Sequence, residues 1–251
     1  MTGIYIFNHL PQTYYTVTYN GTEIYLQERG GARGPVVLFF NGGYGSASAA
    51  KKMLFEQAGH FSSITTASFK YRQSGFGGDE LIDAVNAVEY FQNRGRAVYL
   101  IGKSHGGYLA LMTATRTNCS GVVSLAGPTS LMEMEEFSLQ NLYLPLSFSP
   151  LIKMTANECG GLPSEVPGCY QDRSPAYLVE KITAPVILVH SRSDAIVPFS
   201  QSELMADALN RSGKVYQFYE VMASHLTIEY RDETWGHVCE FFESLNLPCQ
   251  I

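Results

Sequence analysis

The hydrophobic positions of this 251-residue chain fall into two kinds of run that alternate along it. PVVLFF at 35–40 is short and uniformly apolar, as expected of a strand covered on both faces, and AVYLI at 97–101, GVVSLAG at 121–127 and PVILVH at 185–190 read as short buried strands of the same pattern. Between them lie segments with the helical period. A helix is predicted over 47–58, opened by Ser46 as N-cap. A second runs through DELIDAVNAVEYFQNR, with Leu81, Val85, Val88 and Phe91 or Tyr90 on its buried face, and its acids Asp79, Glu80 and Asp83 are expected to complement the helix dipole. Further helices follow residue 104, with Leu109, Met112 and Thr113 on one face, over 200–211, and through ETWGHVCEFFESL near the end. SITTASF and VYQFYEV add two strands. TYYTVTY and TEIYLQE, joined by Asn20-Gly21, predict a type I′ hairpin at a sheet edge, after a lead-in over 1–13 without a period. About eight strands with helices between the later ones give an α/β architecture: a mostly parallel sheet with helices on both faces.

From Pro128 to about Asp172 the pattern breaks. Pro145, Pro150, Pro163, Pro167 and Gly160-Gly161 punctuate a Met- and aromatic-rich stretch in which only 129–142 reads as helix. We read 1–251 as a single domain carrying an inserted cap at about 128–172.

Composition narrows the function. The formal net charge is −6, which argues against a nucleic-acid partner and against anionic membranes. No basic-plus-apolar leader and no membrane-length apolar run stands in the chain, so the cytoplasm is the expected compartment. Cys119, Cys159, Cys169, Cys239 and Cys249 form no CxxC pair and are read as free thiols, with Cys159 and Cys169 the one pair placed to staple a loop in an oxidising compartment. Asn20, Asn118 and Asn210 head Asn-x-Ser/Thr triplets, read as chance matches.

The chemistry centres on Gly102-Lys103-Ser104-His105-Gly106, set between a buried strand and a helix. A serine at the apex of such a turn is held in a strained conformation that lifts its hydroxyl clear, and the flanking glycines remove the side chains that would collide. A serine hydroxyl needs a base, and the base needs an orienter. Asp194 follows the strand PVILVH and His225 follows VYQFYEV, so both leave the sheet edge that carries Ser104. His237 is the main rival base, inside a helix; His190 belongs to its strand, and His9 and His60 have no partners. Asp172, Asp207 and Glu220 lack the position of Asp194. For the oxyanion, the His105 N–H is one donor, with Gly43 N–H the first choice and Tyr44 N–H the second for its partner. The Asn41 side-chain amide either adds a donor or stabilises its own loop as an Asx turn. Lys103 either assists an anionic substrate or is solvated, the latter being favoured. In the cap, Met132, Phe137, Phe148 and Met154, with Tyr44 from the glycine loop, are the candidate pocket, against the alternative of cap-to-sheet packing. Glu133, Glu135 and Glu136 read as a solvated helix face.

FFNGGYG, YRQSGFGGDELIDAVNAVEYF, IGKSHGGYLAL, the stretch from Asp172 to Leu209 and the loop histidine His225 resemble the prolyl oligopeptidase branch of the α/β-hydrolases. The resemblance implies the α/β-hydrolase fold, with Ser104, Asp194 and His225 on the family triad and Gly43 and His105 on its oxyanion amides. The chain departs from it at Asn41, where a histidine or tyrosine often stands, at His190-Ser191 in place of His-Gly, and in carrying no propeller. The expected function is hydrolysis of a small ester, thioester or amide through an acyl-enzyme, without metal or organic cofactor. Short-peptide cleavage is the second expectation. A ligand-binding protein on a hydrolase scaffold, or an acyltransferase or lyase in the same pocket, are the rivals.

Overall fold

The computed structural model describes residues 14–29, 31, 33–140 and 149–251. The hairpin is made by β1 (Tyr14–Tyr19) and β2 (Thr22–Gln27), and its turn has Asn20 and Gly21 both at positive φ, the type I′ requirement. Then follow β3 (Val36–Phe40), α1 (Ala47–Gln57), β4 (Thr65–Phe69), α2 (Asp79–Gln92), β5 (Val98–Lys103), α3 (His105–Ala114) and β6 (Gly121–Leu125). The last third holds β7 (Val186–His190), α7 (Ser200–Arg211), β8 (Tyr216–Glu220) and α8 (Asp232–Ser244). The strands form one sheet in the order β1-β2-β4-β3-β5-β6-β7-β8. Pairings β1/β2 and β2/β4 are antiparallel and the rest parallel, so the carboxyl ends of β5, β7 and β8 share one edge.

Alternation along β3 shows why the central runs are apolar throughout. Val36, Leu38 and Phe40 face a core built with α2, α3 and α7; Val37 and Phe39 face a second core built with α1 and α8. At the start of α1 the Ser46 hydroxyl accepts from Ala49 N–H at 3.1 Å, the cap expected of it.

Three sequence expectations are amended by the structure. The acids at the start of α2 are committed to tertiary contacts rather than to the dipole alone. Asp83 binds Arg72 Nη2 at 3.0 Å and the Arg72 amide at 2.7 Å, and Glu80 is buried against His105. The cap holds three helices where one was expected: α4 (Leu131–Gln140), α5 (Ser149–Cys159) and α6 (Pro167–Gln171). Pro150 and Pro167 sit in the first turns of α5 and α6, where proline's missing N–H costs nothing. Disulfides join Cys159 to Cys169, tying α5 to α6, and Cys239 to Cys249, tying α8 to the tail that follows it; Cys119 is free and buried. The free-thiol reading is therefore corrected for four of the five cysteines, because pairing depends on an approach in space that spacing in sequence does not reveal.

Candidate active site

Strand β5 ends at Lys103 and α3 begins at His105, which leaves Ser104 to make the whole turn. Its φ of 57° and ψ of −126° are strained for a residue with a side chain. Backbone packs on both sides of it: a Cβ on Gly102 would stand 2.0 Å from the Gly106 carbonyl oxygen, and one on Gly106 would stand 2.0 Å from that of Phe40. The Ser104 amide is bonded to the Leu125 carbonyl of β6 at 2.8 Å, which fixes the turn against the neighbouring strand.

The loop after β8 brings His225 Nε2 to 2.8 Å from Ser104 Oγ, and the loop after β7 brings Asp194 Oδ2 to 2.6 Å from His225 Nδ1. All three side chains are buried. A carboxylate accepts only, so Nδ1 carries the proton and Nε2 presents its lone pair to the serine hydroxyl. Asp194 is held in turn: Oδ1 accepts from the Ile196 and Val197 amides at 2.8 and 2.9 Å, and Oδ2 lies 3.3 Å from His190 Nε2. Burial alone would raise its pKa; the bonds from His190 and His225, the electrostatic attraction of His225 and the Val197 amide outweigh burial and hold the carboxyl well below the usual carboxylate range. Such a site can take a proton from Ser104 and return it to a leaving group.

Above the elbow runs the glycine loop after β3. Gly43 is at φ 68°, and the amides of Gly43 and Tyr44 meet no acceptor among the described residues. Gly42 lets the loop close on the elbow, since a Cβ there would lie 3.3 Å from Ser104 Cβ. The Asn41 amide donates to the carbonyls of Gly42 and Tyr44 at 3.0 and 3.3 Å. Both its hydrogens are thus spent inside the loop, which corrects the side-chain oxyanion role and leaves the loop-stabilising one. The His105 ring is also turned away, with Nε2 bound to Glu80 Oε2 at 2.7 Å, while its backbone N–H heads α3 beside Ser104.

A cleft of about 530 Å³ opens over Ser104 and His225. Tyr44 lines it as expected, but Met132, Phe137 and Met154 do not, and Phe148 lies outside the described residues. Met132 packs against the core, and α5 meets the Gly75 loop at Met154 and Thr155; the cap reaches the cleft through Pro150 and Leu151 instead. The other walls are Ala49 and Met53 of α1, Ile196 two residues past Asp194, and Leu226 and Tyr230 past His225. Sequence reasoning missed these, although Ile196 and Leu226 follow the triad candidates in the same loops. Lys103, expected to be solvated, makes an ion pair with Glu229 at 2.8 Å in the cleft, each side chain less than 15% exposed. Of the rival histidines, His237 stacks on Tyr219 at 3.8 Å and His60 on Trp235 at 3.6 Å; His9 lies outside the described residues.

Comparison with known proteins agrees with this architecture. An uncharacterized peptidase, YtmA, of Bacillus subtilis is 28% identical over 55% of this chain and 52% of its own, so the chain spans about half the length of that relative. The structure of an esterase/lipase from an uncultured bacterium superposes with a TM-score of 0.72 at 17% identity, covering 96% of this chain and 86% of the other. A puromycin-hydrolyzing peptidase of Mycobacterium tuberculosis gives a TM-score of 0.65 at 21% identity, over 85% of this chain and 36% of that one. The fold is that of the α/β-hydrolases. The model of the BD-FAE family matches residues 22–209, from the second strand of the hairpin into the last turn of α7, and the chain belongs to that family.

Proposed function

We propose that the protein is a serine hydrolase acting on small esters through an acyl-enzyme. The observation that carries the reading is the unbroken hydrogen-bonded chain from Ser104 Oγ through His225 to Asp194, opening into a cleft. Ser104 Oγ attacks the carbonyl carbon while its proton passes to His225 Nε2. Negative charge on the carbonyl oxygen is received by the amides of His105 and of Gly43 or Tyr44. His225 then protonates the leaving alkoxide, the acyl group remains on Ser104, and water activated by His225 releases it as the acid. Asp194 keeps His225 in the tautomer these transfers need.

The cleft accommodates a compact acyl or alcohol group against Ala49, Met53, Leu151, Ile196 and Leu226. The esterase/lipase superposes on nearly the whole of this chain, which supports the ester reading. Residues 1–251 act as one domain, with 128–172 as its cap. No helix among the described residues is long and apolar enough to cross a membrane. Two disulfides favour an oxidising compartment over the cytoplasm expected from the sequence.

The test is a panel of p-nitrophenyl esters of rising acyl length beside aminoacyl and prolyl p-nitroanilides, with Ser104→Ala as control. Ester turnover falling by about 10⁴-fold or more in the variant is the expected result. Activity that survives the substitution removes Ser104 from the mechanism, and amide cleavage lost with it moves the assignment to a peptidase.

A further inference from the structure

We propose that Tyr71, on the loop after β4, is a positioning residue that holds the oxyanion loop 41–45 in its working shape; the inference rests on the serine hydrolase reading above. The Tyr71 hydroxyl shares its one hydrogen between the carbonyls of Asn41 and Gly43, at 2.9 and 3.2 Å. The Asn41 amide takes the other two, Gly42 and Tyr44. Four successive carbonyls, 41 to 44, therefore accept from two side chains. A peptide whose carbonyl is fastened has its N–H direction fixed as well, because the amide is planar. The carbonyl of Asn41 belongs to the peptide that carries the Gly42 N–H, and that of Gly43 to the peptide that carries the Tyr44 N–H. The Gly43 N–H shares its peptide with the Gly42 carbonyl, which Asn41 holds, so of the two amides that find no acceptor among the described residues Tyr71 aims that of Tyr44 directly and that of Gly43 through the peptides on either side of it.

The loop is shaped around the ring. A Cβ on Gly45 would stand 2.2 Å from Tyr71 Cδ2, and the Tyr71 amide bonds back to the Gly45 carbonyl at 3.2 Å. On its other side the ring lies nearly parallel to His105, at 12° and 5.9 Å between centroids. Glu80 fixes that imidazole through Nε2. One buried unit of Tyr71, His105 and Glu80 thus touches both halves of the oxyanion site: the loop through the phenol, and the elbow amide through the residue whose ring it stacks on. Burial, with the Glu80 carboxylate nearby, pushes the phenol well above its ordinary pKa, so it stays a donor across the working range.

The experiment compares Tyr71→Phe with Tyr108→Phe. Tyr108 is an equally buried tyrosine whose hydroxyl donates to the Arg173 carbonyl at 2.9 Å, away from the loop. Ester hydrolysis gives kcat and KM, an alkyl boronic acid serves as the probe for a tetrahedral oxyanion, and melting curves report the fold. Misplacing oxyanion donors should lower kcat of Tyr71→Phe by about tenfold or more with KM within about twofold, and weaken boronate binding in step. Tyr108→Phe should match it in lost stability and keep kcat and boronate affinity within about twofold. A Tyr71→Phe enzyme with kcat within twofold of the parent overturns the proposal. So does a fall in kcat without loss of boronate affinity, or an equal fall in Tyr108→Phe. Failure of the underlying reading registers separately, as activity that survives Ser104→Ala.

Discussion

Asp194→Asn is the substitution whose consequence follows most directly from the geometry. The carboxylate receives four donors: the Ile196 and Val197 amides on Oδ1, and His225 Nδ1 and His190 Nε2 on Oδ2. His190 Nε2 must carry its hydrogen, because it also faces the Val197 carbonyl at 3.1 Å. An asparagine has one acceptor and one donor end. Turned so that its oxygen meets the two backbone amides, it points its NH₂ at both imidazoles. His225 can accept that hydrogen bond only by moving its own proton to Nε2, where it confronts Ser104 Oγ and cannot take the serine proton. The opposite rotamer sets the NH₂ against two fixed N–H groups and is worse. We therefore expect kcat to fall by about 10⁴-fold, which is about 5 kcal/mol of transition-state stabilisation, with little change in KM. The assay is p-nitrophenyl ester turnover, paired with the rate at which a fluorophosphonate labels Ser104. A variant within tenfold of the parent in both would refute the tautomer argument.

Other consequences are read more briefly. Because Asp194 is held below its ordinary range when folded, it adds stability that is present above the unfolded carboxyl pKa of about 3.9 and is lost as pH falls toward the folded value. The stability gap between the parent and Asp194→Asn in urea should therefore narrow from about pH 5 to pH 2, and a constant gap would refute the linkage. Lys103→Met strands the Glu229 carboxylate in the cleft wall and should cost roughly 2–4 kcal/mol of unfolding free energy; adding Glu229→Leu should recover most of it, and no recovery would show that charge pairing is not the cause. Burial pushes the Cys119 thiol up to about 12. Thiol titration should accordingly find none reactive in the native protein and one after denaturation. Reduction should raise the count to the 5 cysteines of the chain, and a count of five without reductant would remove the disulfides.

The sheet was legible because β3, β5, β6 and β7, covered on both faces, are mainly apolar at both parities, whereas β4 is as deeply buried and carries Thr65, Thr66 and Ser68. The triad candidates were legible for a related reason. Each follows a strand of the sheet at its carboxyl end, β5, β7 or the half-buried edge strand β8, so the order of elements brings them together without knowledge of any side-chain contact. The cap resisted reading because proline does opposite things: Pro150 and Pro167 open helices, whereas in sequence they read as interruptions. The cleft resisted it because its walls come from α1, α5 and the loops after β7 and β8, segments with no common period. Met132 and Phe137 carried the apolar character expected of a pocket, yet that character serves packing as well as binding, and only the direction of α4 separates the two.

Residue type and distance alone would nominate a second nucleophile. Ser202 Oγ lies 2.8 Å from His190 Nδ1, and His190 Nε2 lies 3.3 Å from Asp194 Oδ2, a serine–histidine–aspartate chain that shares its acid with the first. With Nε2 protonated toward Val197 and Asp194, the neutral ring accepts from the Ser202 hydroxyl, as His225 does from Ser104. Three features separate the two. Ser202 lies within α7 rather than at a strained apex, it is 2% exposed and absent from the cleft walls, and its bond runs into a helix-packed interior that a carbonyl carbon cannot enter. Its hydroxyl completes the support of His190, and so of Asp194. Ser202→Ala should then leave His190 Nδ1 without a donor at about 1–3 kcal/mol of stability, while ester turnover stays within about fivefold and fluorophosphonate still labels Ser104. A loss of turnover equal to that of Ser104→Ala, with the fold intact, would mean that reach and backbone strain do not choose the nucleophile in this protein.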